Sequence, residues 1–436
     1  MSAPAGELRA PSRVSVPADQ ASVRRNNLAL VLRHLRDQGP RSRADIALET
    51  KLNKATVSSL VAELQQRDLV RDAGVRHGGG IGRPARIVEL AGAGVGALGL
   101  ELNADYVAAY GTDLAGRVIV DQRASYDAMT ANPDAAIHRL AQLARHALAD
   151  MEQAGAHVAG VTVAMPGLVD VGRGEVLFAP NLHWRDVPVA ALLTSALGEP
   201  DFHIRLDNDA NLGALAEFWS GSAAGTPHMV SVTGEVGVGG GVIVDGRLLR
   251  GADGFSGEFG HLPVDPAGHP CGCGRTGCWE TKVGLGALVR EAAPDLAYGT
   301  APLRGPDERL SQVLRRAADG DARASAALEE VGRWLGVGAA MLVNLFNPRV
   351  IVLGGYFARL LEHIEPTFQC ELDRLMMAGP AARCAVVPST LGFGAAVRGG
   401  AGVALEAVLD DPTSVFRERG AELGQATPAS QTNPGK

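Results

Sequence analysis

Aromatic residues are scarce in this chain, at 4% of 436 positions, and cysteine occurs only five times. So few thiols, odd in number, exclude a disulfide framework as the source of stability, and the core must come from aliphatic burial. No apolar run is read as long enough for a membrane-spanning helix. The start, rich in Pro, Ser, Ala and Arg, lacks the apolar centre of a secretion signal. The expectation is a cytoplasmic protein without a membrane partner. With 46% hydrophobic and 20% charged residues, the composition is that of a globular protein, and the length implies two or three units rather than one.

Net charge is also short of positive sign, at −7 overall, yet the deficit is uneven. Between Ser22 and Glu89 thirteen Lys/Arg face seven Asp/Glu, so a basic head precedes an acidic body. That division suggests a polyanion for the head alone. Leu28, Val31, Leu32 and Leu35 follow the i, i+3, i+4, i+7 pattern of one amphipathic helix ending near Gly39-Pro40. Ser42 reads as an N-cap with Asp45 at the third position, opening a short helix through Thr50. A third helix buries Val57, Leu60, Val61 and Leu64, which turns Lys54, Thr56, Ser58 and Ser59 outward. Three short helices with a tight turn match a helix-turn-helix whose last helix enters the major groove, with Lys54 near phosphate and the small polar residues near bases. A plain three-helix packing unit is the alternative, and the basic balance favours DNA. Gly78 to Arg86 then reads as a hairpin tip before the strand Ile87-Val88, a wing that carries Arg83 towards the backbone or minor groove. A flexible linker is its alternative.

The body carries its densest chemistry at Gly257-Glu258-Phe259-Gly260-His261 and Cys271-Gly272-Cys273-Gly274-Arg275-Thr276-Gly277-Cys278-Trp279-Glu280. Three thiols within eight positions and a histidine upstream suit zinc, and they fill a tetrahedral shell with no place for a reactive water. Disulfides or unlinked thiols are the alternatives, but a Cys-x-Cys bridge is strained. Glu258 and Glu280 flank the cluster and would be fixed by metal ligation. Around this stretch, strands are expected at Leu98–Leu102, Val107–Tyr110, Val118–Val120 and Val158–Val163, and a helix from Pro133 to Ala154. Further helices are expected from Leu310 to Leu345, Ala358 to Met377 and Gly392 to Leu409. Strands followed by helices, twice over, imply an α/β architecture with two lobes and a cleft. Arg205 to Asn211 lies at a strand-to-helix junction, where polar side chains can point into that cleft or simply cap the helix.

The run Glu-Phe-Gly-His followed by Cys-Gly-Cys-Gly-x-x-Gly-Cys-x-Glu resembles the signature of the ROK family, which contains sugar-responsive repressors and sugar kinases. The resemblance implies an actin-like ATPase fold for the body. It implies zinc on His261, Cys271, Cys273 and Cys278, and a sugar hydrogen-bonded by Asn208, Asp209, Glu258, His261 and Glu280. Asn181 and Gly167 look similar to further pocket positions. Asp209 matches the position that serves kinases as catalytic base. Family kinases place Asp-x-Gly-Gly-Thr in the first strand-turn-strand, whereas this chain has Glu101-Leu102-Asn103-Ala104-Asp105. Both glycines are replaced, and Asp105 puts negative charge where polyphosphate would lie. The second glycine-rich stretch, Thr233 to Gly241, carries Glu235 and serves equally well as a hairpin between strands. Val350 to Gly355 resembles the strand and turn on the adenosine side.

The sequence therefore predicts a tail over 1–21, a winged helix-turn-helix over 22–90, a two-lobed ROK sugar-sensing domain over 91–410 with its zinc loop at 257–280, and a second tail over 411–436. The function expected is a sugar-responsive DNA-binding regulator, probable repressor by resemblance, without catalytic activity. Its partners would be operator DNA and a sugar or sugar phosphate effector, and the resemblance implies a homodimer or homotetramer. An ATP-dependent sugar kinase carrying a DNA-binding head is the rival, and Asp209 keeps it open.

Overall fold

The computed structural model describes residues 19–76, 85–92, 94–296, 306–377, 379 and 384–415. The chain divides into two compact units, one formed by the N-terminal residues to Ala91 with those from Ala407 onward, the other by Gly92–Glu406. Each is described in its own right.

In the first unit, α1 (Gln20–Gln38) begins where the Asp19 carboxylate accepts the Ser22 N–H. Its stripe of Leu28, Val31, Leu32 and Leu35 is buried as the spacing requires. The two-residue strand β1 (Arg41–Ser42) leads into α2 (Arg43–Thr50), where Ser42 and Asp45 form a reciprocal capping box. Helix α3 (Lys54–Gln66) is capped by Asn53 and buries Val57, Leu60, Val61 and Leu64. Strands β2 (Val70–Arg76) and β3 (Ala85–Leu90) then pair antiparallel, and β1 joins β3 on its other edge. The hairpin tip and Arg83 lie outside the described residues. The chain's far end also belongs to this unit. Arg33 pairs with Asp410, and the Arg67 guanidinium donates to the Thr413 and Val415 carbonyls at 3.3 and 3.4 Å. Thus residues 411–415, expected as tail, take up defined contacts, and α1 begins two residues inside the segment expected as the other tail.

The second unit contains two five-stranded mixed sheets. In the first, β4 (Gly94–Leu102), β5 (Tyr106–Asp113) and β6 (Val118–Ser125) run as an antiparallel meander; α4 (Pro133–Gln153) then crosses over to β7 (Ala156–Met165), parallel to β4. All nine residues of β4 are buried, as expected of a strand covered on both faces. A three-stranded ribbon of β8 (Leu168–Asp170), β9 (Glu175–Ala179) and β10 (Trp184–Val187) follows, then α5 (Val189–Leu197). Strand β11 (His203–Asn208) closes the sheet parallel to β7 and feeds α6 (Asp209–Ser220).

The second sheet has the order β14-β13-β12-β15-β16. It is built from β12 (Met229–Gly234), β13 (Val238–Val244), β14 (Arg247–Leu248) and, after the intervening helices, β15 (Val350–Gly355) and β16 (Ala385–Pro388). Those helices are α7 (Glu280–Val283), α8 (Leu285–Ala292), α9 (Pro306–Ala318) and α10 (Ala322–Phe346), with α11 (Tyr356–Leu375) between β15 and β16. The segment expected as one helix from Leu310 to Leu345 is two, because the Asp321 carboxylate caps a new helix by accepting from Arg323 and Ala324. Helix α12 (Ala395–Asp410) returns to the first sheet, where Val397 and Ala401 pack with Tyr106 and Tyr110. The 19 residues Gly392–Asp410 have a mean hydropathy of 1.2 and are long enough to cross a membrane by length and composition. That amends the expectation that no such run exists; half of the stretch is buried within the fold.

The core of the second sheet's helical layer closes on Trp279, which is fully buried and donates its indole N–H to the Trp334 carbonyl at 2.8 Å. Helix α10 approaches so closely here that a Cβ on Gly338 would lie 2.1 Å from the Trp279 ring. We therefore expect Gly338→Ala to destabilise the protein by about 1–3 kcal/mol through overpacking. Relief of the helix-interior glycine alone would instead stabilise by about 1 kcal/mol, so the sign of the shift in urea midpoint decides between a tight and a slack contact.

Candidate ligand cleft and metal centre

Strand β11 ends at the first sheet's edge, and the chain turns directly into α6. The Asn208 side chain caps that helix, accepting the Asn211 N–H at 2.9 Å while donating to the Gly167 carbonyl at 3.1 Å. Asp209 accepts the Ala210 N–H at 2.7 Å. Behind them, buried Asp207 takes a bidentate contact from Arg250 at 3.0 and 2.6 Å, tying the end of β11 to the loop after β14. Such two-pronged guanidinium–carboxylate pairs fix geometry as well as charge.

From Arg250 the chain runs to the Glu258–His261 turn. Gly257 adopts φ +109, and a Cβ there would meet the Gly240 carbonyl at 2.3 Å. Only glycine lets this turn lie backbone against backbone on β13, and that contact brings Glu258 and His261 to the cleft mouth. The turn at 271–278 folds back through the bridges Pro263 to Cys278 and Pro270 to Thr276. Asn208, Asp209, Glu258, His261 and Glu280 all line one cleft between the two sheets, with Gly167 and Asn181. The cleft holds about 900 Å³ of empty space, open solvent included. All five residues expected to hold a sugar are therefore together, although both ends of the Asn208 side chain are already engaged.

One side of the cleft adjoins a cluster of His261, Cys271, Cys273 and Cys278, whose ligand atoms all lie within 4.8 Å of one another. The Cys273 and Cys278 sulfurs are 3.7 Å apart, and the His261 Nδ1 is 3.6 Å from the Cys271 sulfur. A disulfide would need about 2.05 Å. A tetrahedral ion with zinc's bond lengths of about 2.3 Å to sulfur and 2.0–2.1 Å to nitrogen requires edges of about 3.8 and 3.6 Å. The donor set fits such an ion. The Cys271 thiol donates to Glu280 at 2.7 Å, and burial followed by that hydrogen bond pushes its pKa up. A cation is thus what would convert it to thiolate, with metal uptake releasing protons. His261 has Nδ1 on the cluster side and Nε2 3.9 Å from Glu258, so it belongs to both the ligand set and the cleft.

The opposite end of the cleft is a carboxyl cluster. Tyr106 donates its hydroxyl to Glu101 at 2.5 Å, and Asn103 donates to Glu235 at 2.5 Å and Glu101 at 3.3 Å. Burial raises the Glu101 pKa to about 7 and Asp209 to about 8, the latter helped by the Glu101 charge. Glu235 is pushed well above the usual range by burial and then by Glu101. Burial also raises Glu258. Arg123 stacks on the Tyr106 ring at 3.8 Å, behind the cluster. Sequence reasoning singled out Glu101, Asn103 and Glu235 but missed Tyr106, Arg123 and the Asp207–Arg250 pair, since no local pattern marks partners so far apart in the chain.

On the first unit, Lys54, Ser58 and Ser59 are exposed on α3 and Thr56 is half-buried. Ser58 bonds back to the Lys54 carbonyl at 2.9 Å, and Ser59 accepts from Arg24 of α1 at 3.2 Å. Arg24 also pairs with Glu63, so a second arginine stands beside the face expected to meet DNA.

Residues 97–407 match the ROK family, and residues 29–78 match the MarR family. The chain is 30% identical to the xylose repressor of Bacillus spizizenii over 395 residues, 90% of this chain and 98% of that one. Among solved structures, a ROK family transcriptional regulator, homolog of the Escherichia coli MLC protein, superposes with a TM-score of 0.74 at 25% identity, covering 90% of this chain and 99% of the other. A ROK family glucokinase from Streptomyces griseus, in complex with glucose and AMPPNP, superposes at 0.60 with 29% identity over 71% of this chain and 99% of its own. The body has the sugar-kinase-like, actin-type fold and the head a MarR-like helix-turn-helix. With the family matched over most of its length, this chain belongs to the ROK family.

Proposed function

We propose that the chain is a sugar-responsive transcriptional regulator, acting as a repressor in the cytoplasm, in which a sugar held in the cleft alters the affinity of the head for operator DNA. The observation that carries this reading is the union, on one chain, of a capped helix-turn-helix with a wing and a cleft whose five polar residues converge beside a Cys/His cluster. Asp209, Glu258, His261 and Glu280 would bind sugar hydroxyls, while Asn208 holds the start of α6. A sugar that binds one state of the protein better than another shifts the population by its differential affinity, and that shift is what DNA reads. Operators for such heads are two-fold symmetric when the protein is a dimer, so a homodimer or a pair of dimers is part of the proposal.

The metal is zinc, held by His261, Cys271, Cys273 and Cys278 in a closed, structural shell. His261 then cannot move without the loop that carries Glu280. Lys54, Thr56, Ser58 and Ser59 would face the major groove, with Arg83 on the wing.

Catalysis is not part of the reading. Where family kinases carry the glycines and threonine of their first phosphate loop, this chain carries Asn103, Ala104 and Asp105 beside buried Glu101. Carboxylates lining a cleft that no described Lys or Arg lines repel polyphosphate. Asp209 stands in the kinase base position with a raised pKa, and together with the likeness of the body to ROK glucokinases it supports the rival of a sugar kinase with a DNA-binding head. A coupled assay of the full-length protein with xylose, glucose and Mg-ATP is expected to give no turnover above background. Turnover at a rate of about 1 s⁻¹ or more, abolished by Asp209→Asn, would replace the regulator reading with the kinase one.

For the metal, elemental analysis of the purified protein should find one zinc per chain. Cys273→Ser should lose it and lower stability and sugar affinity together, because ligation and folding share one free energy. A zinc-free mutant of native stability would make the cluster dispensable. For the head, affinity for operator DNA should fall about 10³-fold or more between 50 and 200 mM salt, and Lys54→Ala should reduce the salt slope by about 1. Binding insensitive to salt would remove the head from the nucleic-acid interface.

A further inference from the structure

The sugar-sensor reading leaves the chemical class of the effector open, and the charge around the cleft bears on it. A phosphate monoester brings a charge of about −1.5 to −2 and three acceptor oxygens. Proteins meet such a group with Arg or Lys, with a helix N-terminus, or with free backbone N–H groups. Among the described residues lining this cleft there is no Lys or Arg, while Asp209, Glu235, Glu258 and Glu280 all line it. Helices α6 and α12 both begin at the cleft, α12 with Ala395 and Ala396, and two of the first α6 N–H groups are taken by its own residues: Asn208 accepts from Asn211, and Asp209 accepts from Ala210. Strand β13 pairs with β12 along one edge and with β14 at Ile243 and Val244.

The cluster at the cleft's far end adds to the deficit. Glu101 comes from the end of β4, Asn103 from the following turn, Tyr106 from β5 and Glu235 from the turn between β12 and β13. They meet in one network in which Asn103 and Tyr106 each contact both carboxyls. The charged groups facing this network are Asp105 in the same turn, Asp209 on α6, Arg123 on β6 and, through Asp105, Arg309 on α9 and Asp127 after β6. Arg123 is spent against the Tyr106 and Phe393 rings, at 3.8 and 4.9 Å. Arg309 is buried at 3% exposure, and neither arginine lines the cleft.

We propose that Glu101 and Glu235, positioned by Asn103 and Tyr106, are specificity-determining residues that make the cleft a receptor for uncharged monosaccharides and reject their phosphate esters. The inference rests on the sugar-sensor reading and narrows it. Neutral hydroxyls can donate to Glu235, which lines the cleft in front of fully buried Glu101, or accept from it when protonated, so a free sugar finds a partner in either state. An ester brings only acceptors and further negative charge, and like charges brought together at a binding site cost several kcal/mol. Burial first, and then the neighbouring carboxyls, push the pKa of each carboxyl up. The sign with pH follows. As pH rises through 7 the network loses protons, its negative charge grows, and rejection of an ester strengthens.

The test uses isothermal titration calorimetry on the full-length protein with matched pairs: xylose against xylose 5-phosphate and glucose against glucose 6-phosphate, at pH 6 and pH 8.5. A free sugar should bind about 100-fold or more tightly than its ester at pH 8.5, as several kcal/mol requires, with a smaller ratio at pH 6. The Glu101→Gln/Glu235→Gln double variant should shrink the ratio at least about tenfold and flatten its pH dependence. Should the double variant fail to fold, Glu235→Gln alone gives the same reading. An ester that binds as well as its parent sugar overturns this inference and leaves the sugar sensor intact. An unchanged ratio in the variants removes Glu101 and Glu235 from the discrimination. If no member of either pair binds, the sugar-sensor reading fails and this inference with it.

Discussion

Three sulfurs and one imidazole meeting within 4.8 Å are the constraint on which the ligand-facing half of the body depends. His261 has one ring nitrogen on the cluster side and the other towards Glu258, while Cys271 donates to Glu280. The side chains that enter the cleft from this side are therefore the neighbours of the cluster, not independent features. Next to Cys278, Trp279 is fully buried under α10 at the close approach of Gly338. The loop is thus fastened to the core on one face and presents carboxylates on the other. That arrangement resists local unfolding in a segment otherwise rich in glycine, where backbone entropy would favour loss of order.

Much of this was legible because it is local. The head's three helices follow from apolar spacing and from the cap at Ser42, which acts within four residues of where it stands. The Cys-x-Cys and following Cys announce a ligand set by spacing alone. The body's strands and crossover helix emerge from period and length. What escaped is long-range. The Asp207–Arg250 pair, the stacking of Arg123 on Tyr106 and the contacts of Arg67 with Thr413 and Val415 join residues whose proximity depends on the finished fold. The helical break at Asp321 escaped for the opposite reason: apolar periodicity continues across it, and one capping carboxylate outweighs the pattern.

Buried charge sets the character of the cleft. Asp207 is paired with a bidentate arginine, whereas Glu101 and Glu235 have an asparagine and a tyrosine for partners. Uncharged donors satisfy oxygen atoms without cancelling charge, which is why burial raises these pKa values. Two kinds of buried carboxylate therefore occur in the body, one paired with a guanidinium and the other with uncharged donors.

The distinction bears on how a kinase-like body becomes a sensor. A phosphoryl-transfer site needs positive charge or free backbone donors wherever phosphate oxygens gather. Here no described Lys or Arg lines the cleft, Asn208 and Asp209 take two of the N–H groups at the start of α6, and the nearest turn from the first sheet carries Asp105. On the proposed reading, Glu101 and Glu235, joined through Tyr106, oppose polyphosphate together with the 103–105 turn. The loss of nucleotide chemistry in this reading is a property of the whole carboxyl network. Sugar hydroxyls, being uncharged, are indifferent to the change, and that asymmetry is what would let one cleft keep its ligand while giving up its reaction.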